Sequence, residues 1–131
     1  MAPGFSDRID KVLDRRLYER GKVIYNQGDE SGGAFIVLKG RVDMFRKAPD
    51  GKQVLVDKAK DGQMFGELAL LQDRKRAVTA VANDRTELLL VPYSFLDKKL
   101  QKVDPFVKYW IEYLVAQVTD LRIRLDRPRS D

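Results

Sequence analysis

Between Leu17 and Val91 the chain runs as short apolar or alternating stretches, each cut off by residues that turn the backbone. The candidate strands are Leu17–Glu19, Val23–Tyr25, Ala34–Leu38, Arg41–Arg46, Gln53–Ala59, Val78–Ala82 and Glu87–Val91. Gly28-Asp29, Lys39-Gly40, Pro49-Asp50-Gly51 and Asp61-Gly62 separate them, and these residues preset φ or tolerate positive φ. Short runs separated by turn residues are how an all-β sandwich or roll reads. The Pro-Asp-Gly turn is expected to close a hairpin.

Both flanks change period. Ser6 can cap a helix near residues 7 to 15 with Ile9, Val12 and Leu13 on one face, Asp7 early and Arg15-Arg16 late, as the helix dipole favours. Beyond Pro92, Phe95, Leu96 and Leu100 suggest a short helix. Asp104 followed by Pro105 then makes an N-cap and first-turn pair, because Pro needs no amide partner there. Apolar residues from Phe106 to Leu125 recur at steps of three and four, so a long helix is expected to run to about Asp126, with Pro128 ending it. The predicted fold is mainly β with flanking helices: a double-stranded β-helix (β-roll or jelly roll) with an N-terminal helix and two C-terminal helices. Residues 1–16 form the helical segment, 17–92 the β-roll, 93–126 the C-terminal helices and 127–131 a tail, one domain in all.

Composition narrows the chemistry. At 131 residues the chain fits one core, and no apolar run approaches the ~20 residues of a membrane span. The start Met1-Ala2-Pro3-Gly4-Phe5 lacks a charged and then apolar leader, so a cytoplasmic location is expected. Zero Cys removes disulfide scaffolds and thiolate metal sites, and zero His removes the commonest metal ligand and the commonest general base. No metal, no cofactor and no catalytic residues are expected. The net charge of +5 is spread among interspersed acids and bases, which reads as a solvated surface.

One segment resists a purely structural account. Met64-Phe65-Gly66-Glu67-Leu68-Ala69-Leu70-Leu71, followed by Gln72 to Thr79, interrupts the strands with an expected short helical turn. Gly66 permits close backbone approach, and a turn beginning there aims the amides of Leu68 and Ala69 at an anion. Arg76 can clamp the same anion by charge-assisted hydrogen bonds, with the Ala77 amide adding a donor. Glu67, a carboxylate where anions are attracted, makes sense if it accepts from a hydroxyl. Taken singly, each residue has a bland reading as turn, surface acid or surface cation.

In order and spacing, Phe65-Gly66-Glu67-Leu68-Ala69-Leu70 and Arg76-Ala77-Val78-Thr79 resemble the phosphate-binding cassette of the cyclic-nucleotide-binding domain family, with Arg nine residues after Glu. Gln27-Gly28-Asp29, Ala34 to Gly40 with Val42, and Leu88 to Val91 extend the resemblance over roughly residues 17 to 126. The resemblance implies a sensor or regulatory domain with a cassette at 65–81. Glu67 would bind the ribose 2′-hydroxyl and Arg76 an exocyclic phosphate oxygen. Amides of Leu68, Ala69 and Ala77 would serve the phosphate, with Gly66 in the same contact. Arg74-Lys75 replaces the Pro that often precedes the Arg, and Ala80 stands where Val is usual.

Ala77, where cyclic-GMP-preferring relatives often carry Thr, favours cyclic AMP, with cyclic GMP as the alternative. Val54, Val56 or Val78 would carry the base, and Leu121, Arg122 or Leu125 on the long helix would act as a lid. The expected partners are the nucleotide and an effector protein or a second copy of the chain, with no direct DNA binding, since only Arg127–Asp131 follow the long helix. Two readings of another class stand beside this one. A cupin-type enzyme lacks its His ligands here, and a β-roll interaction module that binds no nucleotide would not need Gly66, Glu67 and Arg76 together.

Overall fold

The computed structural model describes residues 13–67 and 75–126, with side chains in the last helix described as far as Leu121. Among the described residues, eight strands form two antiparallel four-stranded sheets. They are β1 (Asp14–Tyr18), β2 (Val23–Tyr25), β3 (Gly33–Lys39), β4 (Arg41–Lys47), β5 (Gln53–Lys60), β6 (Met64–Phe65), β7 (Thr79–Ala82) and β8 (Thr86–Pro92). The first sheet has the order β1-β8-β3-β6 and the second β2-β7-β4-β5. Consecutive strands thus alternate between sheets at several points, as in the jelly-roll architecture expected from the sequence.

The strands carry the inward-facing residues that their alternation predicts. Tyr25, Phe35, Val37, Val42, Met44, Ala59, Phe65, Ala80 and Leu88 form one core cluster between the sheets. The neighbours Leu88 and Leu89, on opposite faces of β8, are both wholly buried, and β8 lies between β1 and β3 in its sheet. Each such Leu contributes roughly 1.5–3 kcal/mol by leaving water. The Pro49-Asp50-Gly51 turn closes the β4–β5 hairpin as expected. The Gly51 amide donates to the Ala48 carbonyl at 2.9 Å, and Asp50 Oδ1 accepts from the Lys52 amide at 2.9 Å.

The N-terminal reading needs correction. Residues 1–12 lie outside the described residues, but Asp14, Arg15 and Arg16 belong to strand β1 and not to a helix, and they pair with Leu90, Leu89 and Leu88. The local three-and-four spacing loses to a ladder with a strand some seventy positions away. The charges read as helix-end signals instead decorate an exposed edge strand, where they discourage pairing with other chains. Arg15 also faces Glu87 of β8 at 3.6 Å.

The chain divides at Tyr93/Ser94 into two compact units. The second unit holds α1 (Tyr93–Gln101, which begins at the junction) and α2 (Pro105–Asp126). Asp104 caps α2 as predicted, with Oδ1 accepting from the Phe106 amide at 2.8 Å. Phe106, Tyr109, Trp110 and Leu114 of α2 are exposed. No helix among the described residues is long and apolar enough to cross a membrane.

Candidate functional site

The cassette begins in one sheet and ends in the other. Phe65 pairs with Phe35 at the end of β6, and Gly66 then turns the chain at φ +77°, a backbone region that costs other residues about 1–2 kcal/mol. Glu67 follows, half-buried. Leu68 and Ala69, with the expected helical turn, lie outside the described residues. The chain returns at Lys75, which bridges to Glu30, and enters β7 at Thr79.

The backbone of Arg76 is fixed by the turn after β2. Its amide donates to the Asp29 carbonyl at 2.8 Å, and its carbonyl accepts from the Gly28 amide at 2.8 Å. That turn is itself tied down. Asp29 Oδ2 accepts from the Asn26 amide at 2.9 Å, Thr79 Oγ1 accepts from the Gln27 amide at 2.9 Å, and Gln27 Oε1 accepts from the Lys47 amide at 2.9 Å. The Gln27-Gly28-Asp29 stretch, noted in the sequence only as part of a resemblance, is therefore the mould in which the second half of the cassette is set.

The Arg76 side chain is 6% exposed and reaches back to the first sheet. Nη1 donates to the Gly66 carbonyl at 3.1 Å and Nη2 donates to the Gly33 carbonyl. The guanidinium carbon lies 4.0 Å from the centroid of the Tyr25 ring and 5.8 Å from that of Phe35. Nε is buried and has no hydrogen-bond partner among the described residues. Burial pushes the guanidinium below its ordinary pKa, and Tyr25 and Asp29 act in the opposite direction. A guanidinium is able to make charge-assisted hydrogen bonds to an oxyanion.

The structure thus brings Gly66 and Arg76 into contact, so closely that a Cβ on Gly66 would stand 2.5 Å from Nη1. Ala77 follows Arg76 and is exposed, and Val78 is half-buried and packs against the core cluster. Val54 and Val56 lie on β5, at the edge of the second sheet, and both are exposed. Val54 stands opposite Arg46, whereas the register slips between Met44 and Phe45 and leaves Val56 without a directly opposed residue. Leu121 is exposed on α2, and Arg122 and Leu125 belong to the same helix with side chains outside the described set.

Sequence reasoning missed Tyr25 and Gly33. A tyrosine ending a strand reads as core. Gly33 reads as half of a loosely structured Gly32-Gly33 pair, yet a Cβ there would stand 2.4 Å from the Val91 carbonyl oxygen. The pair of glycines was the available signal, since a glycine within a strand marks close backbone approach.

The Cyclic nucleotide-binding domain family matches residues 15–103, and the chain belongs to that family, one of ligand-binding regulatory domains. A cyclic AMP receptor protein of Thermus thermophilus is 37% identical over 89 residues, 68% of this chain and 41% of the relative. A cAMP-dependent protein kinase regulatory subunit of Mycosarcoma maydis is 36% identical over 80 residues, 61% of this chain and 15% of the relative. The crystal structure of the Thermus thermophilus catabolite activator protein superposes with a TM-score of 0.75 at 31% identity, covering 96% of this chain and 59% of that one. The chain therefore spans less than half the length of these two curated relatives.

Proposed function

We propose that this chain is a cyclic-AMP sensor domain without a catalytic role of its own, and that its ligand's phosphate is held at Arg76. The observation that carries the proposal is the buried Arg76 guanidinium, whose Nε–H has no partner among the described residues and which rests beside Gly66. A cyclic phosphate oxygen placed there would give Nε–H a charge-assisted partner.

The finer assignments rest on the family's cassette. Glu67 takes the ribose 2′-hydroxyl, and the amides of Leu68, Ala69 and Ala77 complete the phosphate site. The purine rests on apolar side chains among Val54, Val56 and Val78, and Leu121, Arg122 or Leu125 serves as the lid. Cyclic AMP is preferred because Ala77 offers the guanine amino group no hydroxyl, and the relatives named for cyclic AMP support that preference. Cytoplasmic signalling through an effector protein, or through a second copy of the chain, belongs to the same proposal.

Calorimetric titration with cyclic AMP, cyclic GMP and cyclic di-GMP tests the reading. Saturable binding of cyclic AMP, tighter than cyclic GMP, is expected. Tighter cyclic GMP binding overturns the purine preference. Heat of dilution alone for all three leaves the β-roll as a protein-interaction module.

A further inference from the structure

Two carbonyls hold the far end of the Arg76 guanidinium, Gly66 on Nη1 and Gly33 on Nη2. Two hydrogen bonds at one end of a planar group leave its rotation about their common axis weakly fixed, and that rotation decides where Nε–H, the nitrogen with no partner among the described residues, points. The Tyr25 ring removes this freedom. The guanidinium carbon sits 4.0 Å from its centroid, a distance that only a face contact allows.

The ring is in turn immobilised. Tyr25 packs on Phe35 and on Phe65, each with ring centroids 6.1 Å away, and those two stack on each other at 5.3 Å. Tyr25 closes β2, just before the turn that fixes the Arg76 backbone, so main chain and side chain of the arginine are both held from one short stretch, Tyr25 to Asp29.

We propose that Tyr25 is a positioning residue for the phosphate clamp: its ring face seats the Arg76 guanidinium so that the Nε edge is presented to the bound anion. The proposal rests on the reading of Arg76 as the phosphate-binding residue. It separates Tyr25 from Phe35 and Phe65, which fill the core beneath it, and it requires an aromatic face at position 25, not merely a large apolar side chain.

Two measurements test it, one with ligand and one without. Affinity for cyclic AMP is measured by calorimetry for the wild type, Tyr25→Leu, Tyr25→Phe, Arg76→Gln and the Tyr25→Leu/Arg76→Gln double variant, with folding checked by urea denaturation. Tyr25→Leu is expected to weaken binding about thirtyfold, the scale of a desolvated cation–π contact. Tyr25→Phe, which keeps the ring, is expected to recover affinity to within about threefold, and Tyr25→Leu is expected to add nothing once Arg76 is Gln. An equal loss in both backgrounds, or none in either, overturns the proposal. Should Tyr25→Leu unfold, Tyr25→Met takes its place.

Without ligand, the Arg76 Nε–Hε resonance of arginine-labelled protein is expected to be shifted by the ring current in the wild type and in Tyr25→Phe. An unshifted wild-type resonance overturns the seat by itself. If the wild type fails to bind cyclic AMP, the functional reading fails, and this resonance still decides whether the seat exists.

Discussion

Gly66→Ala separates the contribution of the cassette's first turn from that of its arginine, and its cost can be worked out from the coordinates. Two penalties arise. At φ +77° an alanine pays about 1–2 kcal/mol of backbone strain. Its Cβ would also stand 2.5 Å from Arg76 Nη1 and 3.3 Å from Tyr25 Oη, so the guanidinium must move. Moving it breaks the 3.1 Å bond to the Gly66 carbonyl, and a hydrogen bond to a charged group is worth about 1.5–3 kcal/mol. Gly51→Ala is the matched control, since Gly51 has φ +86° but nothing within 4 Å of an added Cβ. Urea unfolding should show Gly66→Ala less stable than Gly51→Ala by about 1.5–3 kcal/mol, the value of that bond. Calorimetry with cyclic AMP should show a loss of roughly one to two decades for Gly66→Ala, the same energy converted to affinity, and none for Gly51→Ala. If the two variants are equally stable and bind equally well, the contact between Gly66 and Arg76 does not organise the site.

Arg76→Ala should weaken cyclic AMP binding by about 3–5 kcal/mol, because the phosphate loses its buried partner, and Arg76→Lys should also lose affinity because one ammonium cannot reproduce the fork. Unchanged calorimetric affinity in a folded variant would refute the assignment. Glu67→Gln should cost about 1–2 kcal/mol, since an amide oxygen still accepts, and the penalty should largely vanish against 2′-deoxy cyclic AMP. Ala77→Thr should move the ratio of cyclic AMP to cyclic GMP affinities toward cyclic GMP, and an unchanged ratio would free Ala77 of that role. Hydrogen exchange of residues 119–126 should slow on saturation with cyclic AMP, and a chain ending at Val118 should fold but bind more weakly. Exchange and affinity indifferent to these changes would make the distal helix structural.

What was legible in the sequence depended on how far each residue's reason lay from it. The β5 and β8 strands, the Pro49-Asp50-Gly51 turn and the Asp104 cap have local causes, and the structure reproduces them nearly residue for residue. Gly66 and Arg76 could be paired because their segment resembles the family's phosphate-binding cassette in order and spacing. Asp14 to Arg16 were misread because their deciding partner is β8, and a helix-like pattern carries no trace of that partner. The two-residue β6 strand was too short to register as a run, although its pairing with Phe35 and Ile36 aims Gly66 at the site. Tyr25 escaped notice for a different reason. Its core role and its contact with Arg76 demand the same side chain, so the residue type could not distinguish them.

The position of Arg76 between the sheets bears on how the site would act as a sensor. Its backbone belongs to the second sheet through the turn that follows β2, while its side chain ends on Gly33 at the start of β3 and Gly66 just after β6, both of the first sheet. Burying that cation is unfavourable, and two carbonyls and an aromatic face offset the cost only in part, since Nε remains unsatisfied among the described residues. An anion at Nε would do more than add a contact: it would satisfy a donor that has no partner among the described residues. Because ligand-induced stabilisation is the differential affinity for the state that holds the ligand, that bond favours whichever arrangement keeps the turn after β2, the start of β3 and the Gly66 bend together around one guanidinium. Three chain segments distant in sequence thereby answer to a single charge. A phosphate held only at the surface, touching one of them, could not couple the other two.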